Sequence, residues 1–391
     1  MSDWQRTTLG KVTIQVFREV RVDGLTEVRY AGVRWHVGGV YHRETVPAEK
    51  VKGKLLYRIK RDDIVYNRMW ATKASFGVVK DNADGCYVTN DFPVLTVNPE
   101  AILPAYAEAI FHTASFQSEA AGRAVGTTER RRLHVRDFAS IPIVLPPLPV
   151  QARIVEVIGA VGDLLTVLDA EADALEGVYL AATSLLWLTS HGDEAESRPL
   201  GDVMCLDVMR APMKAGDIYR LAGVLNAGKG LVDKGEIDGA DTEYTAMNVL
   251  RENQVVMRKL TAWEGPITVI PSEFDGFVAS NEFPTFTLAG DVEPGWIKHV
   301  CRTPRLWAEM QSRVVGTVQR RKRLNPDQLL SVALPVPPRP EQEKVAEALD
   351  AIEGQIAVIR TEATSVRQAR DALLSGLLDG TIEIESAELK V

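Results

Sequence analysis

Between residues 154 and 186 the apolar positions fall in a strict four-three alternation: Ile154, Ile158, Val161, Leu165, Leu168, Ala172, Leu175, Tyr179, Ala182 and Leu186. A period of 3.5 residues is the seam of a coiled coil, a narrow stripe that one helix buries against another. The same spacing returns at Val345, Leu349, Ile352, Ile356, Ile359, Ala363, Val366, Arg370, Leu373 and Leu377, with Arg370 the single polar departure. A helix over the first seam is roughly 48 Å long at ~1.5 Å per residue. Each helix needs a partner, and the nearest one is the other. Gly159, Gly162 and Gly177 weaken the first helix by ~1 kcal/mol each relative to alanine, a loss that packing must offset. Prolines at 146, 147 and 149, and again at 337, 338 and 340, predict a stiff extended joint before each helix.

Outside these helices the period shortens. Ile64 to Tyr66, Phe76 to Val79 and Phe92 to Val97 read as short strands separated by turn signals such as Asn82-Ala83-Asp84-Gly85. The stretches 104–118 and 294–310 carry helix-compatible spacing at Tyr106, Ile110 and Phe111, and at Trp296, Val300 and Trp307. The predicted class is α+β.

The chain also resembles itself. Leu9-Gly10 matches Leu200-Gly201, Ala31-Gly32-Val33 matches Ala222-Gly223-Val224, and Thr89-Asn90-Asp91-Phe92-Pro93 matches Ser280-Asn281-Glu282-Phe283-Pro284. Pro146-Pro147, Pro149 and Gln151 match Pro337-Pro338, Pro340 and Gln342, and every one of these pairs is 191 residues apart. Around Gly126 and Gly316 the spacing is 190, because the second copy has one more residue in a basic cluster. Two large units, unlike the many short units of a solenoid, point to two binding events related by pseudo-symmetry.

A net charge of −8 argues against a nucleic-acid partner until the chain is divided. Residues 1–150 hold 21 Lys and Arg against 16 Asp and Glu, and residues 201–340 hold 17 against 17. The stretches 151–200, with 2 against 9, and 341–391, with 5 against 11, carry the whole acidic excess. Any DNA contact is therefore expected in the two globular segments, and more strongly in the first.

Within them the clearest clusters are Gly126-Thr127-Thr128-Glu129-Arg130-Arg131-Arg132 and Gly316-Thr317-Val318-Gln319-Arg320-Arg321-Lys322-Arg323. Adjacent cations repel one another, and placing them at equivalent points of both copies is understandable where phosphates relieve the repulsion. Thr127, Thr128, Thr317 and Gln319 can in addition reach base edges. A second candidate follows the strand 64–66: Asn67, Arg68, Trp70, Thr72 and Lys73, matched by Arg258, Lys259, Thr261 and Trp263.

Signs of catalysis are missing. Gly228-Lys229-Gly230 lacks the upstream glycine of a nucleotide-binding loop. The six histidines form no close pair with ligand spacing, and no methyltransferase or nuclease motif is present, so neither catalytic nor metal residues are predicted. Three widely spaced cysteines, Cys86, Cys205 and Cys301, predict neither disulfides nor a metal knuckle and suit the cytoplasm. No run reaches the ~18 apolar residues of a spanning helix, and the start MSDWQRTTLG has no signal-peptide character, so no membrane role is expected.

Asp62-Asp63-Ile64-Val65-Tyr66-Asn67-Arg68, the Asn-Asp-Phe-Pro strand, the Gly-Thr basic loop, and Ile141 to Gln151 before a heptad helix together resemble the specificity subunit of type I restriction-modification systems. The same order recurs at 253–259, 280–284, 316–324 and 332–342. The resemblance implies target-recognition domains at 1–149 and 196–340, helices at 150–195 and 341–391, and an antiparallel coiled coil between those helices. Each domain would read one half of a bipartite double-stranded DNA site, with the helices as a ruler. The chain itself would need no cofactor; two methyltransferase subunits would use S-adenosylmethionine, and motor-nuclease subunits ATP and Mg²⁺. A specificity protein of another multisubunit methylation or phage-defence system, without the motor-nuclease, is the alternative. A self-contained modification enzyme would need a cofactor site, and a tandem protein-binding scaffold would show no salt-dependent DNA binding.

Overall fold

The computed structural model describes residues 4–126, 131–188, 196–315, 322–379 and 381–382. The first half of the chain runs β1 (Gln5–Thr8), α1 (Leu9–Val12), β2 (Thr13–Gln15), β3 (Glu19–Arg21), β4 (Glu27–Val33), β5 (Val40–Pro47), β6 (Leu55–Arg58), β7 (Ile64–Tyr66), β8 (Phe76–Val78), β9 (Tyr87–Val88) and β10 (Val94–Val97). It continues with α2 (Pro104–Phe111), α3 (Ala114–Arg123), α4 (Val135–Ala139), β11 (Pro142–Leu145) and the long α5 (Leu148–Ser184). The second half opens with β12 (Glu196–Pro199), α6 (Leu200–Val203), β13 (Met204–Leu206), β14 (Met209–Pro212), β15 (Ile218–Val224) and β16 (Leu231–Asp238). It goes on through β17 (Ala246–Val249), β18 (Val255–Met257), β19 (Ile267–Val269), β20 (Val278–Ala279) and β21 (Thr285–Leu288). It closes with α7 (Pro294–Cys301), α8 (Pro304–Arg313), α9 (Pro326–Leu330), β22 (Ala333–Val336) and α10 (Arg339–Asp379).

These elements form two compact units, residues 1–168 with 362–391, and residues 169–361. In unit 1 the sheets run β1-β11, β2-β10-β7-β8 and β3-β6-β9-β4-β5; in unit 2 they run β12-β22, β13-β21-β18-β19 and β14-β17-β20-β15-β16. The order is the same strand for strand. The irregularities agree too: the one parallel pair in each five-stranded sheet is β4 with β9 and β15 with β20, and a register shift falls at Tyr30/Ala31 and at Arg220/Ala222. The duplication read from sequence identity at 191 residues is thus a duplication of topology. The register refines in one respect. Helices α2 and α3 sit 190 residues before α7 and α8, so the second copy loses one residue ahead of α7 and regains it in the basic loop.

Both predicted seams are buried as the heptad period requires. Every seam position of the first helix from Ile154 to Leu186 is buried or half-buried, and so is every one from Val345 to Leu377. In unit 1, Ile154, Val155 and Ile158 share a core with Leu373, Leu377 and Leu378, so the start of α5 lies with the end of α10. In unit 2, Leu186, in the turn just after α5, shares a second core with Val345 and Ala346 at the start of α10, and Arg360 pairs with Glu176 at 2.5 Å.

Two expectations need correction. Pro149 and Pro340 do not precede the helices but stand second in α5 and α10, where a missing N–H costs nothing because first-turn donors have no helical acceptor. The helical stretches read over 104–118 and 294–310 are each divided into two helices, broken where Thr113 and Thr303 cap a new start by accepting from the N–H of Phe116 and Leu306.

A glutamine ties each domain to its helix. Gln151 is fully buried; its Oε1 accepts from Leu103 N–H at 2.9 Å, and its Nε2 donates to the carbonyls of Ala101 at 2.9 Å and Pro146 at 2.8 Å. Gln342 repeats this with Glu293 N–H at 2.8 Å, Asp291 O at 3.1 Å and Pro337 O at 2.8 Å.

Candidate nucleic-acid interface

In unit 1 the three-residue strand β7 is wholly buried, and its end leads into Asn67 and Arg68, both half-buried. Beneath them Tyr66 stacks on Phe138 with centroids 4.3 Å apart, inside an aromatic core that includes Phe76, Phe111 and Phe116. Burial pushes the Tyr66 phenol well above its ordinary range in spite of nearby Arg68, so it stays a donor, to the Leu133 carbonyl at 3.3 Å. Unit 2 holds aliphatic and sulfur side chains in this place, Met257, Ile267, Cys301, Leu306 and Leu329.

Ala124 and Leu133, on either side of the basic loop, belong to the unit 1 core. Val125 and Arg132 exchange both backbone bonds, at 3.0 and 2.8 Å, and so close the base of the loop. Arg68 lies directly against it: its carbonyl accepts from Leu133 N–H at 2.9 Å and its N–H donates to Asp91 O at 3.0 Å. The Asp91 carboxylate in turn accepts from the Arg132 guanidinium at 2.9 Å. Both partners of that pair are close to half exposed, so it orients Arg132 more than it stabilises the fold. Arg131 and Lys73 are exposed.

Unit 2 rebuilds the same ties with different side chains. Val315 and Arg323 exchange bonds at 2.9 and 3.0 Å, Leu324 N–H donates to Lys259 O at 3.1 Å, and Lys259 N–H donates to Glu282 O at 2.9 Å. Arg323 pairs with Glu282 at 3.0 Å, and Lys322 is half-buried. Arg258 is committed within the protein, to Asn226 at 2.8 Å, Thr261 at 2.5 Å, Glu264 at 3.2 Å and the Leu260 carbonyl at 3.0 Å. Structure therefore brings together the two candidate segments that sequence left apart. Thr127, Thr128, Arg130, Thr317, Gln319, Arg320 and Arg321 lie outside the described residues.

Among the described residues, three buried side-chain atoms have no hydrogen-bond partner: Arg68 Nε, Asn281 Oδ1 and Glu282 Oε2. Arg68 and Glu282 stand at the base of a basic loop, and Asn281 precedes Glu282 in the chain. Unpaired buried polar groups are costly and concentrate where a structure is built for something besides stability. A further segment, the turn 34–39 with its counterpart 225–230, lies against the loop that follows Arg68 or Arg258: His36 N–H donates to Lys73 O and Ala227 N–H to Glu264 O, at 2.8 and 2.7 Å. Sequence pattern did not single it out; an exposed Trp35 beside Arg34 and His36 was the available signal.

One trio among the described residues has the spacing of metal ligands, His299, Asp350 and Glu353 in unit 2. Lys298 already pairs with Asp350 at 2.5 Å and Glu353 at 3.1 Å, and Arg302 pairs with Glu353. Its negative charge is thus neutralised by protein cations, and the group ties α7 to α10. No helix among the described residues is long and apolar enough to cross a membrane.

Residues 44–176 match the family model described as the type I restriction modification DNA specificity domain. No curated protein sequence matches the chain. Among solved structures it is similar to the HsdS subunit from Thermoanaerobacter tengcongensis, at 17% identity over 97% of each chain with a TM-score of 0.51. It is also similar to the type I restriction-modification S subunit from M. genitalium, at 12% identity over 96% of each chain and a TM-score of 0.55. A chain from a study of complex assembly and conformational transition of the type I R-M system matches at 15% identity, 97% and 98% coverage and a TM-score of 0.65.

Proposed function

We propose that this chain, which carries a type I restriction modification DNA specificity domain, is the DNA-reading subunit of such a system and uses two domains to recognise a bipartite duplex site. The observation that carries this reading is the loop built twice. One fold appears in two copies, and in each a cation-bearing loop is closed by a two-residue bridge and held to the end of one buried strand. A surface loop needs no such repeated mount merely to be solvated. Phosphates would relieve the repulsion between its cations, while the side chains around it reach base edges.

The paired helices act in this reading as a spacer between half-sites and as the docking surface for protein partners. The recognition domains are then the segments 1–149 and 196–340, and the spacer segments 150–195 and 341–391 hold all but the first two residues of α5 and α10. Their acidic excess repels DNA and suits contact with methyltransferase and motor-nuclease subunits. Those partners supply adenine methylation with S-adenosylmethionine and ATP- and Mg²⁺-dependent cleavage, so this chain takes no catalytic step, and the complex works in the cytoplasm.

The test is the salt dependence of binding. Assembled with its methyltransferase, the double variant Arg131→Ala, Arg132→Ala is expected to bind duplex DNA more weakly, with the slope of log K against log salt reduced by about 1 to 2. Wild-type affinity and slope in the variant would refute the assignment.

A further inference from the structure

The turns 34–39 and 225–230 are closed alike, by a backbone bond from Arg34 to Gly39 at 3.0 Å and from Leu225 to Gly230 at 2.9 Å. Each passes through left-handed backbone at matching places: His36, Val37 and Gly39 against Ala227, Gly228 and Gly230. Val37, at φ 54°, is β-branched, and left-handed backbone is costly for such a residue. What holds the turn is a second set of matching bonds. His36 and Val37 donate to Lys73 O and Ala74 O, both at 2.8 Å; Ala227 and Gly228 donate to Glu264 O and Gly265 O at 2.7 and 2.9 Å. A strained conformation is thus imposed twice, against the loop that follows Arg68 or Arg258.

The matched backbone carries unmatched side chains. In unit 1 Arg34, Trp35 and His36 are exposed; Trp35 is 49% exposed, and its ring lies 5.1 Å from that of Trp70 at an angle of 43°. A tryptophan half in water contributes little as core, but its face covers a thymine methyl or a sugar, and its N–H suits a base acceptor. In unit 2 the same position is Asn226, exposed, whose carbonyl oxygen accepts from the Arg258 guanidinium at 2.8 Å. An amide joined to a guanidinium presents polar groups suited to base-edge hydrogen bonds.

We infer that this turn is a further DNA-reading segment of each domain, with Trp35 making apolar contact to base edges in one half-site and Asn226, held through its carbonyl oxygen by Arg258, offering its amide N–H groups to polar base edges in the other. The inference rests on the function proposed above and names residues that make the two half-sites differ in sequence.

The experiment uses the chain assembled with its methyltransferase and a set of bipartite duplexes, each changed at one base pair. In wild type, replacing a base pair that is read lowers affinity about tenfold to a hundredfold. Trp35→Ala is expected to flatten that penalty to below about threefold at one or two base pairs of one half-site, leaving the other profile intact as the control for folding. Trp35→Phe should keep part of the penalty, and uracil in place of the contacted thymine should weaken wild type but not Trp35→Ala. Asn226→Ala should alter only the opposite half-site. Wild-type profiles in both variants, or a uniform loss on every duplex, would overturn the inference while leaving the proposed function standing. A wild-type complex that discriminates at no base pair would overturn both.

Discussion

Replacing Gln151 by alanine is expected to destabilise unit 1 by about 2–4 kcal/mol. The side chain is fully buried and makes three hydrogen bonds, one accepted from Leu103 N–H and two donated to the carbonyls of Ala101 and Pro146. Each such bond contributes about 0.5–1.5 kcal/mol net, and the buried backbone group it leaves behind costs about 1–3 kcal/mol unless water reaches it. Partial hydration of three groups near a domain edge brings the total to the range given. Urea unfolding followed by circular dichroism measures it, read as two transitions if the units unfold separately. Gln151→Ala should lower one transition and Gln342→Ala the other, because Gln342 makes the same three contacts in unit 2. Gln151→Glu sharpens the test: it keeps the acceptor for Leu103 but sets a carboxylate against two carbonyls, so it should be at least as damaging at neutral pH and recover in acid. A loss below about 1 kcal/mol in Gln151→Ala, with no pH dependence in Gln151→Glu, would mean that the apolar seam alone mounts the domain and the glutamine does not.

His299 gives a second handle. It is fully buried between the Tyr179 hydroxyl at 2.8 Å and Asp350 at 3.0 Å, and burial first, then Lys298, lowers its pKa to about 4. The folded state therefore holds the neutral ring and the unfolded state binds the extra proton below about 6.5. Stability from this site is full above pH 6.5 and falls by up to about 3 kcal/mol as the pH drops to 4. Urea unfolding of wild type and His299→Gln across that range should show the difference between them shrinking toward acid; a constant difference would contradict the assignment. Insertion of one heptad into each of α5 and α10 should lengthen the gap in the methylated site without changing either half-site, and sequencing of methylated DNA would read the outcome. An unchanged gap would remove the spacer role.

How much was legible in advance depended on how local the signal is. The seams from Ile154 and from Val345 were readable because a 3.5-residue period is a property of one helix, and the partner merely has to supply a matching stripe. The repeat was readable because register survives in Asn-Asp-Phe-Pro and Asn-Glu-Phe-Pro. The break at Thr113 was not, since a threonine that accepts from its own chain three residues on looks the same in sequence as one inside a helix. Nor was the approach of 34–39 to 73–74, which depends on backbone bonds across almost forty residues and on left-handed angles at His36, Val37 and Ala74 that only the surrounding fold imposes. For the basic loops, composition pointed to their chemistry; that Arg68 and Arg132 meet at Asp91 came only from the pairing of Val125 with Arg132.

The small sheets at the foot of each unit have a consequence for how such a chain can change. Strand β1 pairs with β11 from Gln5↔Leu145 to Thr8↔Pro142, and β12 with β22 from Glu196↔Val336 to Pro199↔Ala333. The chain thus enters and leaves each domain side by side, a few ångströms from the start of its long helix. Everything between those strands is a closed excursion. An exchange of genetic material with both breakpoints in the paired strands would deliver a foreign domain whole, with its ends already at the correct separation and no residue of the coiled coil disturbed. Under the function proposed above, the two-stranded foot makes each domain a cassette, so that one of the two proposed reading halves is exchangeable while the other goes on working.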